Sequence, residues 1–159
     1  MRAAVLTISD GVSAGTREDR SGDVLSELLA AEGYEVTRRI VPDERDSIAA
    51  GIAELADETP LVLTTGGTGF GPRDVTPEAT ASVLERPAPG IAEAIRADAL
   101  AKTPHALLSR GVAGTIDSTL VVNLPGSTGG CRDGYAVIRP ALEHALRLLA
   151  DEATTHRQT

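Results

Sequence analysis

Tryptophan is absent from this chain, and aromatic residues make up only 2% of its 159 residues. Phe70, Tyr34 and Tyr135 are the only rings of that kind, so a ligand site here cannot rest on extensive aromatic stacking. Cys131 is the lone cysteine. An internal disulfide is impossible, and zinc sites built on several cysteines are excluded. Positive charge is scarce: 15 Lys and Arg face 23 Asp and Glu, a net charge of −8. That balance argues against a nucleic-acid footprint and against an anionic membrane surface, since both require basic patches. No apolar run approaches the length that crosses a bilayer. The amino-terminal run reaches Asp10 too soon for the apolar core of a secretory signal. A soluble, cytoplasmic protein is the expectation. His105, His144 and His156 lack metal-site spacing, and no Ser-His-Asp arrangement is arguable.

What is present is an ordinary globular balance, 42% hydrophobic and 24% charged, carried by aliphatic residues. The length predicts one domain over residues 1–150, followed by a polar, frayed tail at 151–159. Strand-like and helix-like pieces alternate. Arg2–Ser9 reads as a buried strand, residues 11–20 as a polar loop, and Gly22–Glu32 as a helix that stops at Gly33. Tyr34–Val41 reads as a strand broken by Pro42, and Asp43 as the cap of a helix over Glu44–Asp57. Leu61–Thr64 is a short apolar strand, and Thr76 is an N-cap with Pro77 at the first helical position. Ile91–Ala101 and Tyr135–Ala150 read as helices, and Thr119–Leu124 as a strand. This alternation predicts an α/β layered fold with a mostly parallel sheet.

In such sheets ligands bind beyond the carboxyl ends of strands. Three turns qualify: Ser9-Asp10-Gly11, Thr65-Gly66-Gly67-Thr68-Gly69, and Asn123-Leu124-Pro125-Gly126-Ser127. The second is the most informative, because every residue from Thr64 to Gly69 is Gly or Thr. Glycines let backbone N–H groups approach an anion, and threonines add hydroxyls. The spacing fails the dinucleotide pattern G-x-G-x-x-G, and no Gly-Lys-Ser/Thr follows to make a Walker loop. Asp74 beside this nest suits a cation, or else a salt bridge to Arg73 or a cap near Thr76. Asp43 suits a cation as well, or else the helix cap. Ser109-Arg110 offers a hydroxyl and a guanidinium to an anion, or else solvates a helix end. Cys131 has no nearby histidine that would argue for a thiolate.

The segments Thr64-Thr65-Gly66-Gly67-Thr68-Gly69 and Pro72-Arg73-Asp74-Val75-Thr76-Pro77-Glu78-Ala79-Thr80 resemble the molybdopterin adenylyltransferases, the Mog/MoaB family that includes the G domain of gephyrin. Further segments fall in the family's order: Ile8-Ser9-Asp10, Asp19-Arg20-Ser21-Gly22, Val41-Pro42-Asp43-Glu44, Pro89-Gly90, Leu108-Ser109-Arg110 and Asn123-Leu124-Pro125-Gly126-Ser127. The likeness runs from Val5 to Leu149. The stretch Gly129-Gly130-Cys131-Arg132-Asp133-Gly134 is more glycine-rich than the family's usual Pro-containing turn and helix start.

The resemblance implies a three-layer α/β/α sandwich, assembled as a homotrimer. It implies adenylylation of molybdopterin by ATP with Mg²⁺, which releases pyrophosphate, and a downstream metal-insertion enzyme as partner. It assigns the essential aspartates to Asp74 and Asp43, with Mg²⁺ on both. The molybdopterin side falls to Ser9, Asp10, Thr65, Gly66, Gly67, Thr68, Gly69, Ser109 and Arg110. The nucleotide side falls to Asn123, Pro125, Gly126 and Ser127. A non-catalytic pterin-binding or scaffold protein on the same fold is the alternative, and the presence of both aspartates favours the enzyme.

Overall fold

The computed structural model describes residues 1–157, with side chains through Asp151. In chain order the elements are β1 Arg2–Ile8, α1 Asp10–Ser13, α2 Arg20–Ala31, β2 Glu35–Val41, α3 Arg45–Glu58 and β3 Leu61–Thr65. They continue as α4 Thr76–Val83, β4 Arg86–Pro87, α5 Pro89–Leu100, a 3₁₀ turn at Pro104–Leu108, β5 Ala113–Ile116, β6 Thr119–Leu124 and α6 Thr128–Arg157. The strands form a six-stranded sheet in the order β2-β1-β3-β6-β5-β4. The first four are parallel, and β5 pairs antiparallel with both β6 and β4.

Side-chain alternation divides the core into two sides. Val5, Leu63 and Val122 point toward α2 and α6, meeting Leu25, Leu29, Leu142 and Leu146. Leu6, Val62 and Val121 point toward α3 and α4, meeting Ile48, Ile52, Leu55 and Ala79. The result is the expected α/β/α sandwich. Its central strands are apolar throughout because both faces are covered. No helix among the described residues is long and apolar enough to cross a membrane.

Several local expectations are corrected. The loop at 11–20 opens with α1, because the Ser9 hydroxyl accepts from the Val12 amide and starts a turn of helix. Asp43 does not cap α3: Glu44 occupies the cap position without a side-chain bond, and Asp43 faces Asp10 instead. Thr76 is the first residue of α4 rather than its cap, and its hydroxyl donates to the Gly66 carbonyl at 2.9 Å. The strands β5 and β4, four and two residues long, are additions to the sequence reading. Helix α6 begins at Thr128 rather than Tyr135. Its glycines permit close packing: a Cβ at Gly130 would lie 2.8 Å from Pro125, and one at Gly134 2.7 Å from Leu124. The same helix runs through Arg157, across most of the stretch expected to fray. Residues 158–159 lie outside the described residues.

Asn123, expected on the nucleotide side, has a buried side chain that turns into the protein. The amide donates to the hydroxyls of Thr64 (2.9 Å) and Thr80 (3.0 Å), and its carbonyl accepts from the Val112 amide at 3.1 Å. Removing it strands buried partners. Asn123→Ala is therefore expected to lower unfolding free energy by about 1–3 kcal/mol in urea titration. An unchanged midpoint contradicts this structural role.

Candidate functional site

The order β2-β1-β3 makes the chain reverse its direction of travel across the sheet between β1 and β3. That crevice is a topological switch point, where open α/β sheets place ligands. Because β1, β3 and β6 are parallel, all three predicted turns lie on one edge. Gly66 is the closest point between them. It has φ 102°, and a Cβ there would overlap the carbonyl oxygen of Ile8. A Cβ on Gly126 would in turn lie 3.3 Å from the Gly66 Cα. The Thr65 hydroxyl donates to the Pro125 carbonyl at 2.7 Å and contacts the Cys131 sulfur at 3.3 Å. Burial pushes the Cys131 thiol up to about 11, so at neutral pH it is a packed thiol and no nucleophile.

Hydrogen bonds hold the aspartates in register. The Asp10 amide donates to Asp43 Oδ2 at 2.8 Å, and the Asp43 amide donates to Asp10 Oδ1 at 3.0 Å. Arg73 grips the Asp10 carboxylate with Nε at 2.6 Å and Nη2 at 3.1 Å. Asp74 therefore does not pair with Arg73. Its carboxylate accepts the Gly71 amide at 2.9 Å, and it caps nothing near Thr76. Arg110, expected to offer its guanidinium to an anion, has each nitrogen engaged within the protein. Nε donates to the Gly69 carbonyl at 2.8 Å and Nη2 to the Asp74 carbonyl at 2.7 Å, while Nη1 pairs with Glu78.

Two clefts flank the Gly66–Gly69 turn. The first has a volume of about 610 Å³ and is lined by Ser9, Asp43, Gly66, Gly67, Asp74, Gly126 and Ser127, together with Thr7 and residues 17–21. The second is about 450 Å³. It takes in Thr68, Gly69, Ser109, Pro125 and Ser127, and aliphatic side chains of Ile95, Ala99, Ala106 and Leu108. Ser127 belongs to both. Its hydroxyl accepts from the Gly130 amide at 3.0 Å, which makes it the cap of α6 and puts the positive end of that helix between the clefts.

Most of the predicted residues thus line these two clefts, whereas Asp10, Asn123 and Arg110 line neither and make the internal bonds described above. Residues 17–21 join the cleft without having been expected as ligand contacts. The available signal was Asp19, three residues ahead of Gly22 in a polar loop. Its carboxylate caps α2 through the Gly22 amide at 3.0 Å and accepts from Thr7 and Arg38.

The fold and site define an α/β protein whose strand-end loops gather backbone amides, hydroxyls and carboxylates on one sheet edge. Sequence comparison makes this specific. The family described as "Probable molybdopterin binding domain" matches residues 4–144, and the chain belongs to it. It is 39% identical over 150 residues to the molybdopterin adenylyltransferase of Helicobacter pylori strain J99, covering 91% of this chain and 85% of that protein. It is 40% identical over 159 residues to the molybdenum cofactor synthesis protein cinnamon of Drosophila melanogaster, covering 98% of this chain but spanning only 26% of that protein. Among solved structures, the molybdopterin biosynthesis enzyme MoaB of Thermus thermophilus superposes with a TM-score of 0.87 at 46% identity, covering 93% of this chain and 95% of that one.

Asp10 and Asp43 titrate with opposite consequences. The Arg73 guanidinium holds the Asp10 carboxyl below its usual range. Asp10 therefore contributes stability above its unfolded pKa, and that contribution is lost as pH falls through the lowered folded value. Burial lifts Asp43, and the neighbouring charges of Asp10 and Asp74 add to the lift. Its contribution is present below the unfolded pKa and is lost as pH rises through the raised folded value. Asp43→Asn, which can still accept the Asp10 amide, is expected to melt higher than the native chain at neutral pH, with the difference closing in acid. Calorimetry across pH checks this, and a lower neutral melting temperature contradicts it.

Proposed function

We propose that this chain transfers AMP from ATP to the terminal phosphate of molybdopterin, giving adenylyl-molybdopterin and pyrophosphate. One observation carries the reading: an acidic cleft and an aliphatic cleft open on either side of one Gly-Thr turn and share Ser127. That layout suits two ligands whose phosphates must meet while their rings stay apart. The names of the relatives, and the family's description, support the identity of the ligands.

In this reading the triphosphate lies in the first cleft, beside Asp43 and Asp74. The pterin lies in the second, with Thr68, Gly69 and Ser109, where aliphatic walls substitute for the missing aromatics. Its phosphate reaches Ser127 and the amides of the Gly66–Gly67 turn. An oxygen of that phosphate bonds to the α-phosphorus of ATP. The bond from that phosphorus to the α–β bridging oxygen breaks, and its electron pair leaves with pyrophosphate. The acceptor is already ionised, so no strong base is required. Positioning and charge stabilisation dominate, as in related phosphoryl chemistry.

Mg²⁺ favours one or two carboxylates completed by substrate phosphates and water, and Asp43 and Asp74, which both line the first cleft, supply two. Asp43 and Asp74 would hold it, and bound there it would neutralise phosphate charge. The homotrimer, the cytoplasmic setting and a metal-inserting partner come with the same reading, and a sedimentation mass tests the first.

Supplied with molybdopterin, ATP and Mg²⁺, the chain is expected to yield adenylylated pterin and pyrophosphate. Asp74→Asn keeps the shape and removes the charge, so turnover should fall roughly 10²-fold or more with melting little changed. Pterin binding without product overturns the enzyme reading in favour of a scaffold. Full activity in Asp74→Asn overturns the role of Asp74.

A further inference from the structure

The first cleft presents a charge problem. Glu18, Asp19, Asp43 and Asp74 all line it, and its proposed occupant is a polyanion. Most guanidiniums nearby are committed elsewhere. Arg73 is bidentate on Asp10, and Arg110 is held by Glu78 and two carbonyls. Arg38 bridges Asp19 and Asp23 at 2.6 Å to each. Arg20 pairs with Glu18 at 3.3 Å.

Arg17 lines the same cleft. Among the described residues no ion pair or side-chain hydrogen bond engages its guanidinium; only its backbone amide is used, donating to the Gly11 carbonyl at 3.2 Å. The carbonyl of Gly11 also accepts from the Thr16 amide (2.9 Å) and hydroxyl (3.1 Å), so the chain after α1 folds back over that residue. A Cβ at position 11 would lie 2.6 Å from Arg17 Cδ and 3.0 Å from Cγ. The aliphatic stem of Arg17 therefore lies in the space that Gly11 leaves empty, which directs the chain along the cleft wall.

We infer that Arg17, seated on Gly11, is a substrate-contacting residue that binds the β- and γ-phosphates of the nucleotide and then the departing pyrophosphate. The inference rests on the adenylyl-transfer reading for the identity of the occupant, and on the cleft's own charges for the need of a cation. A guanidinium presents paired donors matched to phosphate oxygens. It adds positive charge to a wall that also carries Asp43 and Asp74, so the polyphosphate is neutralised by the guanidinium as well as by the cation those carboxylates would hold.

The test measures binding and turnover separately. Titration calorimetry with inorganic pyrophosphate and Mg²⁺ reads the subsite without any reaction. Arg17→Met keeps the stem and removes the charge, and should weaken pyrophosphate about tenfold, the loss expected for one charge-assisted hydrogen bond. Arg17→Lys should recover part of that affinity. Gly11→Ala should reproduce the loss while Arg17 is still present, because its methyl displaces the stem. Position 11 lies in α1 without a positive φ, so alanine is tolerated by the backbone and the melting temperature should not fall. In Arg17→Met, Gly11→Ala should then have no further effect on binding. During turnover, Arg17→Met should raise the KM for ATP by a similar factor.

Native-like pyrophosphate affinity in Arg17→Met, or no pyrophosphate binding by the native chain, overturns the inference. A native chain that forms no adenylylated pterin, but binds pyrophosphate in an Arg17-dependent way, overturns the functional reading and leaves this subsite standing. A native chain that adenylylates pterin with an Arg17→Met variant equal to it in both assays overturns the inference alone.

Discussion

The carboxyl ends of β1, β3 and β6 meet so closely that position 66 has no room for a side chain. The Gly66 backbone lies against the Ile8 carbonyl on one side and Gly126 on the other, at a φ that L side chains rarely adopt. Everything else at the site depends on that contact. It brings the loop bearing Asp74 within reach of the loop bearing Asp10, and it sets Ser127 at the boundary between two clefts. A bulkier residue would separate the strand ends and part the two halves of the site.

A chain of net charge −8 has no basic field to offer an anion. The donors at this site are local. Backbone amides and the amino end of α6 supply donors whose partial charges are fixed in place. Most arginines nearby are used as ties: Arg73 fastens Asp10, and Arg110 fastens Gly69, Asp74 and Glu78. These ties fasten the loops to one another. Asp43 is half-buried, and that burial, with the charges of Asp10 and Asp74, raises its pKa. A charged carboxylate held there costs stability at neutral pH.

The layered α/β fold was legible because the apolar runs at Ala3–Leu6, Leu61–Leu63 and Leu120–Val122 could only be strands covered on both faces. The convergence of three turns followed from parallel order alone. What could not be read locally was the direction of side chains. Asn123 sits at a strand end, as a ligand contact would, but the strand's alternation turns it toward Thr64 and Thr80. Asp43 has the residue type and position of a cap, yet the Asp10 amide competes for it from 33 residues away. Arg110 is polar and near a helix end, and only the tertiary fold shows it wrapped in loop carbonyls. Strands β4 and β5 are too short to carry a period. The glycines at the start of α6 weaken any sequence signal for helix before Tyr135, because propensity opposes it, and close packing on Pro125 and Leu124 overrides that preference.

The central claim is that phosphates from two ligands meet at Ser127 and exchange an adenylyl group. The most direct measurement follows labelled phosphorus from ATP into the pterin. With label at the α-position, radioactivity should move onto molybdopterin; with label at the γ-position, it should appear only in pyrophosphate, in equal amount. Label moving from the γ-position onto the pterin, or remaining in ATP in the presence of bound molybdopterin and Mg²⁺, would contradict the account.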